Sequence, residues 1–476
     1  MKTRIESILS RPDVQSWVEA LGWGLLVLWF VLSAAIKIGL YRNGVAVGDI
    51  FLHANAMANS HFPGKLLYTA AYQVERGITS LLQDHFQPTS LLLIPLFHLF
   101  GTPIFLILIQ ALGPLFLVGA LWVTGRRFGA SRRLILAVAL FTLYNAMFLK
   151  AVVDGPGGYR HDAQFLVYLP LFLASFLARR WLPTILFLFL YMGIKEDAAF
   201  YPIAFGVAVL LFGLPVAHDR RLTLTVVALA TAYFILSVFY IPAWIHSPNI
   251  YVHSGMSKIG TGLIYEAAHG FIKSNWYNFY LYFIYVILCL PFFLAGALDV
   301  AVLSIMSRPA SLYYDFSIVI FFAFGMLLVL TTLNRATGRV ARIRRLLWIA
   351  FGIQLIVVVP VGLAAFHHTW RKSMEAAVTV PAADTEAAWK MVDKACTVSP
   401  ADALLQRFYR LPYWVRPRAA EHARTVVMVD PGLYPPQALW RDHIHGFVAA
   451  NRARLRLVGR AGPVSVWLDP KAPCLP

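Results

Sequence analysis

The chain has 476 residues, of which 59% are hydrophobic and only 13% charged, with a mean hydropathy of +0.66 and a formal charge of +18. A soluble enzyme of this length would carry about 25% charged residues, so the composition is that of a polytopic membrane protein. The basic excess does not point to nucleic acid, because the arginines lie in short loops between apolar runs.

The N-terminus carries Lys2, Arg4 and Arg11 ahead of an apolar stretch over 21–40. A cleaved signal has an apolar core of only ~7–15 residues, so this stretch reads as an uncleaved first span with its N-terminus in the cytoplasm. Apolar runs predict eleven spans in all, near 18–40, 103–124, 134–150, 163–178, 182–195, 199–214, 222–244, 277–290, 291–306, 316–333 and 346–366. Several are short for ~30 Å of hydrocarbon, which favours tilted or broken helices. The runs 277–290 and 291–306, divided at Pro291, could be two short helices or one re-entrant hairpin. With eleven spans the clusters Arg126/Arg127/Arg132/Arg133, Arg179/Arg180, Arg220/Arg221 and Arg335/Arg339/Arg342/Arg344/Arg345 all face the cytoplasm and the C-terminus faces outward.

The outward loops then hold Asp49, Glu75, Asp84, Asp154, Asp162, Glu196, Asp197, Glu266 and Asp315. Desolvating a carboxylate near lipid costs several kcal/mol, about 2.5–3.5 at a span centre, so acids at the mouth of a bundle are candidates for function. In the first outward loop, 41–88, Asp49 follows the first span. It could be a base toward an acceptor hydroxyl, a ligand for a divalent cation, or an N-cap for a helix over 50–60. His61 to Lys65 reads as a turn and 70–82 as a helix lying at the membrane interface. In Asp84-His85-Phe86-Gln87-Pro88, Asp84 could orient His85 for proton transfer or metal binding, or the segment could be a capping turn before a proline-initiated helix. Residues 89–100 are too short to cross and read as a half-helix.

The stretch 154–162 is a glycine-rich loop, either structural or offering Arg160 and His161 as ligands. Lys195-Glu196-Asp197 joins two apolar runs. It is either a solvated turn or a site in which Lys195 contacts a phosphate while an acid contacts sugar hydroxyls or a cation. The aromatic and basic loop 244–278 could close over a lipid-linked substrate or rest in the headgroup layer.

After about His367 the pattern changes to a small α/β domain, 367–476, following a membrane domain of 1–366. Short strands are expected at 395–398 and 425–430, a helix at 437–454, and a hairpin pairing 455–458 with 464–468. Cys289 reads as inert, whereas Cys396 and Cys474 could pair in an oxidising compartment. His367-His368 has no metal-site spacing partner. There is no P-loop, G-x-S-x-G, H-E-x-x-H or paired-cysteine zinc motif.

The many spans, the acid in the first outward loop and the outward C-terminal domain resemble a GT-C-type glycosyltransferase. More closely, the chain resembles a bacterial family of predicted membrane proteins related to GT-C enzymes. Asp49 and Asn55 match that family's acid and amide after the first span, Asp84-His85-Phe86-Gln87-Pro88 its D-H-F-x-P segment, and Lys195-Glu196-Asp197 its K-E-D segment. Tyr313-Tyr314 stands where the family has a histidine–tyrosine pair, so the histidine is missing. The resemblance implies a multi-pass protein of the bacterial inner membrane that transfers a sugar from a polyprenyl-phosphate donor to an extracytoplasmic glycan, lipid or protein, with a divalent cation as an optional cofactor. It implies Asp49, Asp84 and His85 as catalytic candidates, and Asn55, Arg160, Lys195, Glu196, Asp197 and Tyr314 as substrate-binding ones. A flippase or transporter of an amphipathic lipid, and a non-catalytic membrane assembly protein, are the competing readings.

Overall fold

The computed structural model describes residues 12–45, 49–61, 64–153, 158–247, 281–305, 316–335, 340–435, 443–472 and 474. The expected site residue Tyr314 and most of the loop 244–278 lie outside these. Among the described residues, five helices are long and apolar enough to cross a membrane: Val14–Arg42, Ile104–Arg127, Arg220–Trp244, Phe316–Asn334 and Ile343–Met374. Pro88–Phe100, His161–Leu177 and Trp181–Met192 are apolar but shorter. At 1.5 Å per residue they span about 18–26 Å, less than the ~30 Å hydrocarbon layer. Length alone therefore does not reproduce the eleven crossings expected from the apolar runs.

Breaks inside the apolar runs have local causes. The run over 134–150 divides into Arg132–Leu143 and Ala146–Val153. Between them the Asn145 carboxamide oxygen accepts from the Phe148 amide, a side-chain alternative to the helical ladder. The backbone of Tyr144 lies so close to Gly362 that a Cβ there would collide with the Tyr144 carbonyl. Within 281–305 the chain turns at 287–289 and restarts as Leu290–Ile305, with Pro291 in its first turn. In Arg220–Trp244 the ladder widens to a π-turn over Leu236–Tyr240.

The arginine loops gather at one end of the bundle. Arg335 donates to the Phe128 carbonyl and Arg133 to Gln15, near the start of the first helix, both at 2.5 Å. Trp181 donates to Asp219 at 3.1 Å, bringing the Arg179/Arg180 and Arg220/Arg221 loops together. Because each helix has two ends, Arg42, His161 and Lys195 emerge at the other end. One buried cation serves that end directly. Lys37, only 2% exposed within the first span, donates to the carbonyls of Val152 at 3.0 Å and Val153 at 3.3 Å. It thereby satisfies the C-terminus of Ala146–Val153, where the helix dipole is negative. Gln110 donates to the Ala151 and Val152 carbonyls and accepts from the Arg160 amide.

Beyond this end lies a second layer. The interfacial helix expected over 70–82 is two pieces, Ala70–Arg76 and Leu81–Asp84. Gly77, at φ +69°, ends the first, and the Ser80/Gln83 capping box starts the second. The last span does not stop near 366 but runs to Met374. A four-stranded sheet then forms from β1 Val398–Pro400, β2 Thr425–Val429, β3 Arg456–Ala461 and β4 Val464–Leu468, in the order β1-β2-β4-β3. β1 and β2 are parallel; the expected β3–β4 hairpin is present, turning at Gly462 with φ +52°. The expected helix at 437–454 is seen as His443–Ala450.

This sheet does not have a core to itself. Ile50, Phe51 and Leu67 of the first loop and Leu405, Phe408 and Trp414 of the C-terminal domain belong to one hydrophobic cluster. The first loop and the C-terminal domain therefore share one core above the bundle. Cys396 and Cys474 are joined by a disulfide over a sequence separation of 78. Closing a loop of that size restricts the unfolded chain by about 4 kcal/mol on the chain-entropy model. The Cys396→Ser/Cys474→Ser double variant should therefore unfold at a lower temperature in detergent, and reductant should lower the wild-type transition toward that of the variant.

Candidate active-site cavity

The three charged segments singled out in the sequence converge. Asp49, Asp84, His85, Arg160 and Lys195 all face one polar cavity of about 240 Å³ at the end of the bundle remote from the arginine loops. It lies under the layer formed by the first loop and the C-terminal domain, which contributes Arg416 and Arg418 to its wall.

Two docked segments build its inner wall. The Thr89 amide donates to the Gly193 carbonyl at 2.9 Å, and the Thr89 hydroxyl to the Leu190 carbonyl at 2.8 Å. Gly193 is needed there, because a Cβ would collide with the Thr89 hydroxyl. Gln87 accepts from Ser90 at 2.9 Å, and Ser90 accepts from Gln164 at 3.0 Å. The Asp84–Pro88 segment is thus tied both to the Lys195–Asp197 turn and to the start of the His161–Leu177 helix.

Across this joint His85 Nδ1 lies 2.9 Å from Glu196 Oε1, both side chains nearly buried. Burial acts against charge on His85, but the Glu196 carboxylate prevails and raises its pKa. Burial acts likewise on Glu196, yet His85 and then Lys195 hold its carboxyl well below the usual carboxylate range. The partner that orients His85 is therefore Glu196, not the adjacent Asp84. Asp84 pairs with Arg76.

Asp49 opens the helix Asp49–Ala58 and lies 2.7 Å from Arg160 Nη1, with its carboxylate about one-third exposed. One turn further on, His53 is buried beside His161 and Tyr159, and burial pushes its pKa down to about 3, so its ring is neutral. His161 in turn lies 5.3 Å from His85, centroid to centroid. Lys195, only 4% exposed, is held between Asp197 at 3.1 Å and Asp162 at 3.9 Å. Two carboxylates thus flank its ammonium at the cavity wall.

Asn55, unlike Lys195, does not line the cavity. Its side-chain amide donates to the carbonyls of Tyr409 at 2.6 Å and Leu411 at 2.8 Å, so it pins the C-terminal domain to the first loop. Among the described residues no three His, Cys, Asp or Glu side chains gather as a metal ion would require. The acids at the cavity have cations as partners instead. Sequence reasoning missed Tyr72, Arg76, Arg416 and Arg418 on the cavity wall. His53 had a signal, since helical spacing places it on the same face as Asp49; Arg416 and Arg418 had none.

A scan against protein-family models matches residues 55–405 to DUF2079, described as "Predicted membrane protein". The chain belongs to this family. Its fold is similar to that in the crystal structure of ArnT from Cupriavidus metallidurans bound to undecaprenyl phosphate, at a TM-score of 0.54 and 14% identity, covering 95% of this chain and 99% of that one. The apo crystal structure of the same protein aligns at a TM-score of 0.49 and 12% identity. No curated protein matches the chain. Membership of a family of predicted membrane proteins, expected from the D-H-F-x-P and K-E-D segments, is borne out, and the chain shares its fold with ArnT.

The His85–Glu196 pair sets a pH dependence of stability. His85, raised on folding, contributes fully below its unfolded value near 6.5 and loses that contribution as pH rises through the raised folded value. Glu196, lowered on folding, contributes above about 4.5 and loses it as pH falls. The unfolding-temperature difference between wild type and Glu196→Gln should therefore be largest between about pH 4.5 and 6.5 and shrink above that window. A difference that stayed flat to pH 9 would show that the pair is not charged.

Proposed function

We propose that this chain is a membrane glycosyltransferase that moves a sugar from a polyprenyl-phosphate donor to an acceptor hydroxyl. The observation that carries the reading is the cavity itself: a part-exposed carboxylate held by a guanidinium, in a pocket walled by further cations, on the fold that ArnT shares. ArnT was crystallised with undecaprenyl phosphate, and a lipid phosphate is the kind of group such a wall would receive.

In this reading Asp49 is the base. As the acceptor oxygen attacks the anomeric carbon, its proton passes to the Asp49 carboxylate. The bond between the anomeric carbon and the phosphate oxygen breaks, and the electron pair leaves with the polyprenyl phosphate. Cations of the wall stabilise the charge that grows on the departing phosphate. Arg160 fixes the Asp49 carboxylate, while His85–Glu196 locks together the two segments that shape the inner wall. Asp49→Asn keeps the size and removes the base. Turnover of an undecaprenyl-phosphate sugar by this variant should fall by about 10²–10⁴-fold at matched abundance and unchanged unfolding temperature. Near-normal turnover would remove Asp49 from the role.

The reading also places the cavity on the outer face of the inner membrane. It is supported by the clustering of arginine loops at the far end of the bundle, which the positive-inside rule assigns to the cytoplasm, and by the Cys396–Cys474 disulfide, which persists in an oxidising compartment. A single cysteine placed at exposed Glu421 should react with a membrane-impermeant maleimide in intact cells stripped of their outer barrier. Labelling only after the inner membrane is permeabilised would invert the orientation.

A further inference from the structure

The charges on the cavity wall are unevenly matched. Asp49 lies against Arg160, Asp84 against Arg76 and Glu196 against His85, and Asp162 and Asp197 lie on either side of Lys195. On the wall contributed by the C-terminal domain, Arg416 and Arg418 share the carboxylate of Glu75.

The two arginines share it unequally. Arg416 takes both Glu75 oxygens through Nε and Nη2 and lies over the ring of Tyr72. It is a part-buried, structurally committed cation. Arg418 reaches the same carboxylate with one nitrogen at 3.3 Å, and its side chain remains 56% exposed. A guanidinium has five N–H donors in a fork that suits a phosphate, and at Arg418 most of them are not directed at Glu75. Arg418 therefore combines surplus charge, donors and access at the cavity.

Resting on the glycosyltransferase reading, we infer that Arg418, backed by Arg416, binds the phosphate of the lipid-linked donor, so that the C-terminal domain completes the substrate site. The carboxylates around Lys195 are left to face the hydroxyl-bearing sugar. This division of labour makes the docking of the C-terminal domain through Asn55 and Glu75 a requirement for donor binding. It also puts a substrate contact outside residues 55–405, the stretch shared with the family model.

The test measures binding, not turnover. Full-length wild type, Arg418→Gln and Arg418→Lys in nanodiscs are titrated with undecaprenyl phosphate and, separately, with uncharged undecaprenol; inorganic phosphate is added as a competitor. Losing a charged hydrogen-bonding partner should weaken undecaprenyl phosphate binding by about 10-fold or more in Arg418→Gln. Arg418→Lys should recover much of this, and undecaprenol should bind all three alike. Equal binding of undecaprenyl phosphate by wild type and Arg418→Gln would overturn the inference, as would equal losses for both lipids. If Arg418→Gln lost only inorganic phosphate, Arg418 would be a site for the free anion and the lipid assignment would fall. Because no transfer is measured, a failure of Asp49→Asn to impair turnover would leave this result standing, and the reverse also holds.

Discussion

The His85–Glu196 pair is the contact on which the rest of the site depends. It bridges two segments 111 positions apart in the chain, and both partners are nearly buried where an uncompensated charge would be costly. The Thr89 amide and hydroxyl, and the chain through Gln87, Ser90 and Gln164, join the same two parts of the chain. The pair is also the reason that Arg76, not His85, is left to neutralise Asp84.

The cavity arises where two architectural layers meet. The bundle supplies rigid helix ends, each satisfied by side chains such as Lys37 and Gln110 rather than by water. The layer above is continuous in its apolar packing from the first loop to the sheet, so it behaves as a lid fixed by a hydrophobic core. Charges trapped between these layers are paired, and the pairs are chosen by which helix ends are adjacent. A fold shared with ArnT at 14% identity conserves this layering without specifying which side chains fill it.

Much of the membrane domain was legible. Apolar runs located most of its helices, because burial in lipid or in a bundle both demand hydrophobic side chains over a length set by geometry. Local turn chemistry also read through: Pro291 at a helix start, and the β3–β4 hairpin with Gly462 in the left-handed region. The break at Asn145 did not, since an asparagine in an apolar run is compatible with a continuous helix until a close neighbour such as Gly362 bends the choice. The helix carrying the last apolar run continues past 366 to Met374, because a helix can change composition without ending.

For the site, the sequence by itself determined which segments matter: Asp49, Asp84-His85 and Lys195-Glu196-Asp197 are ionisable groups at the margins of apolar runs, and their cost demands a purpose. It could not determine their partners. Asp84 as the partner of His85 was a natural reading of neighbours along the chain. The tertiary structure instead paired His85 with Glu196, Asp84 with Arg76, and Lys195 with two acids, and it turned Asn55 toward the C-terminal domain. The physical reason is that hydrophobic periodicity and turn preference act over a few residues. Coulombic and hydrogen-bond partners are decided by which buried groups the packed helices bring within about 4 Å, whatever their separation in sequence.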